Sequence, residues 1–356
     1  MFYKYEIKNN GIENILYLYL TMAYEFSKEL SLKENDKEIT RRTKNFIKNN
    51  GINYNGNKVY LVIDGIVVKS LDITSDEENI ELLSNKLYYS NEHYFVSVKF
   101  ENSVLIEISL KEYLLGLLAT IYIPNMELET LKAICTLFRS FAFKEMSEKR
   151  LIMAVNEFCS FRPISYYKLI WIDNYDKIYN LILEAINSTD CIFTTYKHYY
   201  TLPFLHYCND GKTLSSVNHE YLSSVSSLWD LAAPYYINIK DFSYLEISKL
   251  LHSEITNTSD IKIIDIDENG FINKIKIDNS FFTGDEFIKL LGLKSRLINI
   301  IINKNSIRFI NKGWGYFYGM SIFGANEIAK NGCNYIGIIK YYFPLFTINK
   351  YIKELS

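Results

Sequence analysis

Residues 313–325 read GWGYFYGMSIFGA, a run of glycine and aromatic residues. Gly313, Gly315 and Gly319 lie close together in it, and Ser321 follows them. Glycine at this density is typical of backbone with positive φ angles, or of backbone that closely approaches a ligand or another chain. We therefore predict irregular backbone over the whole stretch, neither a helix nor a regular strand.

The composition is that of a folded protein with one large domain or two ordinary ones. The chain has 356 residues, of which 48% are hydrophobic and 22% are charged, a balance that supports a sizeable core. The formal net charge is -2, so no global basic field attracts nucleic acid or anionic lipid. We expect no nucleic-acid partner.

The cysteines are odd in number and widely spread. They are Cys135, Cys159, Cys191, Cys208 and Cys333. The sequence contains no Cys-x-x-Cys pair or short Cys/His cluster, which argues against a structural zinc site and against a disulfide framework. Reduced thiols of a cytosolic setting fit best. We expect no metal and no cofactor.

The N-terminal sequence lacks a basic region followed by an apolar signal core. The longest early apolar run covers residues 15–26, which is too short to span a bilayer. These features predict a cytoplasmic protein without a transmembrane segment.

Periodicity and turn residues predict an α+β fold with antiparallel strands and several helices. Helices are expected where polar or apolar residues recur at helical spacing, at 38–48, 127–146 and 243–252. Strands are expected in β-branched or alternating runs, at 15–24, 58–63, 65–71, 94–100, 103–108, 261–266 and 270–277. Turns are expected at 64–65 and 267–270, and a loop or surface helix at 76–91.

Ordered sequence blocks give the chain a family resemblance over roughly residues 100–347. The blocks are LKEYLLGLLA at 110–119, ETLKAICTLFRSFA at 129–142, PFLHYCNDGKT at 203–213 with YLSSV at 221–225, LGLKS at 291–295, and the glycine-rich stretch 313–325. In this order and spacing they resemble the stage II sporulation protein D / LytB family. The family's last block reads roughly Gly-x-Gly-His-Gly-x-Gly-Met-Ser-Gln-x-Gly-Ala. Here Tyr316, Phe317 and Ile322 stand in place of its His, one Gly and its Gln.

The resemblance implies action on the glycan strands of bacterial peptidoglycan, which the family's lytic transglycosylases cleave. Their essential Glu first protonates the glycosidic oxygen, and its carboxylate then assists attack by the sugar's own C6 hydroxyl. Counted from Tyr113, Gly116 and Ala119, that position falls on Ile121. Because Ile cannot transfer a proton, we expect cleavage to be lost unless another carboxyl group substitutes.

Three carboxyl groups are possible substitutes for the missing acid: two lie shortly after Ile121, and the third lies in the block around His206. Glu127 is a weak candidate, presented by a shifted loop. For Glu127 and Glu129 we favour stabilisation of a helix start, and for Asp210 an ordinary Asn-Asp-Gly turn.

The resemblance also implies a set of glycan-binding residues. We expect none of them to bind a metal. They are His206, Lys212, Thr213, Arg139, Tyr316 and Ser321. His206 either lines the cleft or packs, hydrogen-bonded and inert, beneath the turn at 209–211. Arg139 either contacts substrate or buttresses the cleft through a buried ion pair, which we favour. The rings of Trp314, Tyr316 and Tyr318 either stack on sugar or fill the gaps left by the missing His and Gly.

Three hypotheses of function follow. The leading one is a degenerate relative that binds a glycan strand or a protein partner without cleaving glycan. The second is an active lytic transglycosylase that uses Glu127. The third is a cytoplasmic interaction module that uses an N-terminal α/β extension, residues 1–92, ahead of the family-like domain at 93–356. The resemblance implies a cell-envelope location and a link to sporulation, whereas the N-terminal sequence indicates the cytoplasm.

Overall fold

Helices and mostly antiparallel strands alternate along the chain in the computed structural model. The structure describes residues 51–55, 58–63, 66–72, 95–99, 105–148, 150–156 and 158–350. This mixture confirms the predicted α+β class. Residues within 1–124, 134–193 and 349–356 group into unit 1, and those within 125–133 and 194–348 into unit 2.

Several expectations fall on residues outside those ranges. They are the strand at 15–24, the helix at 38–48, the turn at 64–65, the segment at 76–91 and the domain boundary between 92 and 93.

A three-stranded antiparallel sheet is the first described part of unit 1. Its strands pair in the order β1 (Gly51–Asn55), β2 (Lys58–Ile63) and β3 (Ile66–Asp72). The predicted strands at 58–63 and 65–71 are confirmed, and β1 had no predicted counterpart.

The rest of unit 1 combines a small sheet with helices. Strand β4 (Phe95–Lys99) pairs antiparallel with β5 (Leu105–Ser109) and parallel with β6 (Ile152–Met153). The helices are α1 (Leu110–Ile121), α2 (Leu128–Ser147), α3 (Tyr167–Trp171) and α4 (Tyr175–Ser188), with 3-10 turns at Ile164–Tyr166 and Ile172–Asn174. Residues 128–133 of α2 group with unit 2. The strands predicted at 94–100 and 103–108 and the helix at 127–146 are confirmed.

Helix α1 is fixed by a cap and by a glycine. The Ser109 hydroxyl accepts a hydrogen bond from the Glu112 amide, and the Glu112 carboxylate accepts one from the Ser109 amide, a capping box. At Gly116 a Cβ atom would lie 2.4 Å from the Arg162 carbonyl oxygen and from a ring carbon of Phe161. A glycine is therefore required at the point where α1 packs against residues 161–162.

Unit 2 is built from short sheets and helices, and two of its strands, β7 and β17, also include residues grouped with unit 1. Its strands are β7 (Ile192–Tyr196), β8 (Tyr199–Tyr200), β9 (Leu205–His206), β10 (Ile237–Ser243), β11 (Ile261–Ile266), β12 (Ile272–Ile277), β13 (Ser280–Thr283), β14 (Ile298–Ile302), β15 (Ser306–Lys312), β16 (Met320–Ser321) and β17 (Thr347–Lys350). They pair in the orders β17-β7-β8, β10-β15-β14, β11-β12-β13 and β16-β9. Its helices are α5 (Tyr244–Leu251), α6 (Gly284–Leu291), α7 (Ile322–Lys330) and α8 (Tyr335–Tyr342), with a 3-10 turn at Leu228–Ala232.

Apolar faces of α5, α6 and the neighbouring strands form one core of unit 2. Ile247, Ile275, Phe287 and Phe309 are buried together there. The predicted helix at 243–252 and strands at 261–266 and 270–277 are confirmed as α5, β11 and β12, with the turn at 267–270 between the strands. Helix α6 was not predicted.

The glycine-rich stretch is irregular in its first part only. Gly313, Gly315, Phe317 and Gly319 have positive φ angles, as expected. The prediction is wrong for residues 320–325, where β16 is followed by the first turn of α7. The cause is Ser321, whose hydroxyl accepts a hydrogen bond from the Gly324 amide and caps the helix.

None of the helices in the described ranges combines the length and hydropathy that a membrane crossing requires.

Candidate functional site

The loop 313–319 passes directly over strand β9. At Gly315, where φ is +116°, a Cβ atom would lie only 2.6 Å from the Cβ atom of His206. Phe317 adopts a φ of +65° without being glycine. Its ring is buried, with its centroid 5.0 Å from that of Phe271 and 5.8 Å from that of His206. Phe317 therefore takes up a backbone conformation that favours glycine and fills the interior beneath the loop.

His206 is buried, with 2% of its surface exposed. Its Nδ1 lies 3.1 Å from the carbonyl oxygen of Tyr318, and its Nε2 lies 3.0 Å from the Asn209 side-chain nitrogen. Since a carbonyl only accepts and the amide nitrogen donates, this arrangement fits a neutral ring protonated on Nδ1. Burial lowers the pKa of His206 to about 4. Both nitrogens thus serve to hold the loop 313–319 and the 209–211 turn against β9.

A buried carboxylate lies near this histidine and was not predicted. The Ser321 hydroxyl donates to Asp230 across 2.7 Å, and the Asn209 amide donates to the same carboxylate across 3.1 Å. Ser227 and the amide of Gly324 also hydrogen-bond Asp230. Burial raises the pKa of Asp230 to about 6, against these hydrogen bonds, which lower it. Asp230 therefore joins the 209–211 turn, the 3-10 turn at Leu228–Ala232 and the start of α7.

Thr213 and Lys212 are adjacent in sequence and differ in exposure. The Thr213 hydroxyl is buried, donates to the Ser223 carbonyl across 3.1 Å and accepts from the Val225 amide across 2.8 Å. Lys212 is exposed and lines a cavity of about 200 Å³ together with Asp210 and other residues. The Thr213 side chain therefore holds its own segment against residues 223–225, whereas the Lys212 side chain is accessible to a ligand.

Trp314 and Tyr316 stand beside a larger groove of about 530 Å³. The Trp314 ring stacks on Tyr207, with centroids 4.1 Å apart. The ammonium of Lys294 lies 3.9 Å from the Trp314 ring centroid. Tyr316 is 51% exposed, so its ring, at the position of the family His, faces solvent.

In unit 1, α1 ends at Ile121, the position counted as that of the family Glu. Ile121 is partly buried. The Thr120 hydroxyl before it donates to the Gly116 carbonyl across 2.9 Å and accepts from the Tyr167 hydroxyl across 2.7 Å. The sequence TIYIP at 120–124 contains no carboxyl group.

A series of aromatic rings adjoins that turn and was missed from the sequence. Tyr167, Trp171, Tyr175 and Tyr179 follow one another at intervals of four residues, with centroid separations of 4.8, 6.2 and 5.7 Å. The ring of Tyr122 meets Trp171 edge-on at 5.6 Å. Within α3 and within α4 the spacing of four was the available signal, because residues four apart meet on a helix. The contact between Trp171 and Tyr175 crosses the 3-10 turn between these helices.

Two of the carboxyl groups considered as substitutes are held by other parts of unit 2. The Glu129 carboxylate accepts from the Lys132 ammonium at 2.6 Å and from the Tyr335 amide at 2.8 Å, at the start of α8. Asp210 accepts from the Tyr236 hydroxyl. Glu127 is exposed, and its amide donates to the Asn326 side chain across 2.7 Å. Glu127 therefore has a fixed backbone and an accessible carboxyl.

Arg139 is 2% exposed and belongs to unit 1. Its guanidinium donates to the carbonyl oxygens of Thr189 at 2.7 Å, Ile192 at 2.9 Å and Ile186 at 3.3 Å. Among the described residues it forms no ion pair, so the expectation of a buried ion pair is wrong. The guanidinium instead lies at the C-terminal end of α4. That position suits a positive charge, because helix carbonyls and the helix dipole meet there.

No cluster of three or more His, Cys, Asp and Glu side chains suited to a metal ion occurs within the part of the chain that the structure describes.

Comparison with known proteins gives two relatives of the same name. Stage II sporulation protein D of Bacillus subtilis (strain 168) is 26% identical over 256 residues, which are 68% of this chain and 75% of that protein. Stage II sporulation protein D of Bacillus amyloliquefaciens is 26% identical over 263 residues, 70% of this chain and 76% of that protein. The two relatives support the stage II sporulation protein D family. No protein-family profile matches the chain.

The residues expected to depart from the family pattern differ in how deeply they are buried. Phe317 and Ile322, two positions where the sequence was expected to depart from the family pattern, are buried and fill interior space. Tyr316, a third such position, is exposed. Ile121 closes α1 as a partly buried aliphatic residue.

Proposed function

We propose that this protein binds glycan strands of bacterial peptidoglycan without cleaving them, in a role related to sporulation. The observation that carries the proposal is Ile121, an aliphatic side chain in a turn without a carboxyl group, at the position counted as that of the catalytic Glu. General acid–base catalysis contributes roughly 10²–10⁴-fold, so its loss removes practical turnover. The relatives' names support the link to sporulation.

The proposed glycan-binding residues divide by accessibility. Lys212 and Tyr316 are exposed beside cavities and are proposed to contact sugar. His206, Thr213 and Ser321 are buried and hydrogen-bonded to protein groups, so they act as positioning residues for the loops of unit 2. Arg139 has the same kind of role in unit 1, at the end of α4.

An active transglycosylase is the second candidate, because the Glu127 carboxyl is exposed while that of Glu129 is engaged. In that case Glu127 would perform both proton transfers of the reaction. The interaction-module hypothesis depends on residues 1–92, most of which lie outside the described ranges.

Co-sedimentation with insoluble glycan strands stripped of peptide tests the binding proposal. We expect the protein to sediment with the strands, and Tyr316→Ala to weaken retention several-fold, since loss of one aromatic contact removes about 1 kcal/mol. Tyr199→Ala is a matched control, because Tyr199 is 78% exposed and stands outside both cavities. A protein that stays in the supernatant would contradict the proposal, as would equal effects of the two substitutions.

A further inference from the structure

The groove beside Tyr316 carries acidic, basic and aromatic side chains together. Its lining includes Asp285, Glu286, Lys289, Lys294, Trp314 and Tyr316, and its volume is about 530 Å³. This volume lies within the range typical of sites for small organic ligands, roughly 300–1,000 Å³. Which ligand the groove suits depends on which of its charged side chains lack a partner of opposite charge within the protein.

Both acidic side chains are already engaged by protein groups. Asp285 lies 3.5 Å from Nε of Arg296, and its side chain is 59% exposed. The Glu286 carboxylate accepts from the Thr283 amide and hydroxyl, each at 2.9 Å, and so completes the cap of α6. The Glu286 carboxylate is thus committed to the helix cap, and the charge of Asp285 is balanced by that of Arg296.

The two lysines of the groove have no carboxylate partner among the described residues. Within the described part of the chain, neither Lys289 nor Lys294 forms an ion pair with a carboxylate. Lys294 lies over Trp314, and its carbonyl accepts from the Gly315 amide across 2.9 Å, which fixes its backbone. Burial and the nearby charge of Lys240 lower the pKa of Lys294. An arriving anion would relieve both effects, because it supplies the missing countercharge.

The groove also offers an exposed aromatic ring. Trp314 is partly buried and contacts both the Tyr207 ring and the Lys294 ammonium. Tyr316, at 51% exposure, is left to contact the C–H face of a ligand. Cations without countercharge beside an exposed ring suit a ligand that is both anionic and partly apolar.

We propose that this groove binds a sugar bearing a carboxylate, with Lys289 and Lys294 on the carboxylate and Tyr316 against the sugar ring. The inference rests on the proposed glycan-binding function and specifies which sugar of the strand this site recognises, the acidic one. It assigns the groove a role in binding that is independent of any cleavage at residues 120–124.

Isothermal titration calorimetry with two forms of soluble, peptide-stripped glycan strands tests this inference. One form keeps the carboxylates of its acidic sugars, and in the other they are reduced to alcohols. We expect the intact form to bind about tenfold more tightly, the effect of a charge-assisted contact that solvent partly screens. Lys289→Met and Lys294→Met should each remove most of that preference, because Met keeps the aliphatic stem without the charge.

A matched control is Lys304→Met, which removes an exposed lysine outside the groove and should leave the preference unchanged. Should the protein bind intact and reduced strands equally, the carboxylate inference would be overturned while glycan binding stood. Binding of neither form would overturn both. A preference that survives both Met substitutions in the groove would show that the carboxylate is recognised elsewhere, which also overturns the inference.

Discussion

Acidification is expected to destabilise unit 2 through His206, because its buried ring is uncharged in the folded protein. Burial lowers the pKa of this residue from 6.5 to about 4. The folded-state pKa is depressed, so the stabilising contribution is complete above pH 6.5 and is lost as the pH falls towards 4. A difference of about 2.5 in pKa corresponds to about 3 kcal/mol in the free energy of unfolding, of which about 2 kcal/mol is lost by about pH 5.

Urea unfolding followed by circular dichroism, at about pH 7.5 and about pH 5, measures this loss. The matched variant is His206→Gln, whose side chain keeps a donor and an acceptor but does not titrate. Subtracting its pH dependence from that of the wild type cancels the other groups, including Asp230, whose raised pKa acts in the opposite direction. We expect the wild type to lose about 2 kcal/mol more than the variant.

The control for this experiment is His198→Asn. His198 is exposed and has a φ angle of +70°, a conformation that Asn tolerates. This variant should follow the wild type at both pH values. Equal losses in the wild type and His206→Gln would refute the reasoning, since they would show that the His206 ring titrates normally in the folded protein.

Two further substitutions test the packing of the site. Gly315→Ala should cost about 2 kcal/mol more stability than Gly332→Ala; both positions have positive φ, but a Cβ at 315 meets His206 at 2.6 Å and one at 332 meets no atom within 4 Å. Equal melting temperatures for the two variants would contradict the close approach. Arg139→Met should lower the free energy of unfolding by about 2–4 kcal/mol, because buried carbonyls such as that of Thr189 lose their donor. It should leave the affinity of the folded protein for glycan unchanged in calorimetry, and a selective loss of affinity would indicate a substrate contact instead.

Local sequence signals predicted much of the fold. The spacing of apolar residues predicted α2, and β-branched runs around Asp267–Gly270 predicted β11 and β12. Helix α6 was missed although Thr283 and Glu286 form a capping box that is visible as a sequence spacing. The same kind of signal, Ser321 before α7, explains why residues 322–325 are helical despite their glycine.

The geometry of the site was less accessible, because its partners are distant in sequence. Arg139 donates to carbonyls about fifty positions further along the chain, and no local pattern distinguishes this from an ion pair. The burial of His206 depends on the loop 313–319, and the role of Asp230 depends on Ser321. Sequence blocks indicated which segments matter, but they could not separate residues that position loops from residues that face solvent.

Cleavage of peptide-stripped glycan strands tests the central proposal most directly. Purified wild type and Ile121→Glu would be incubated with the strands, and mass spectrometry would record 1,6-anhydro sugar ends. We predict no such ends from the wild type, although it binds the strands, and measurable ends from Ile121→Glu, because the substitution introduces a carboxylic acid into the turn at 120–124. Anhydro ends from the wild type that disappear in Glu127→Gln would contradict the proposal and identify an active enzyme with a displaced acid.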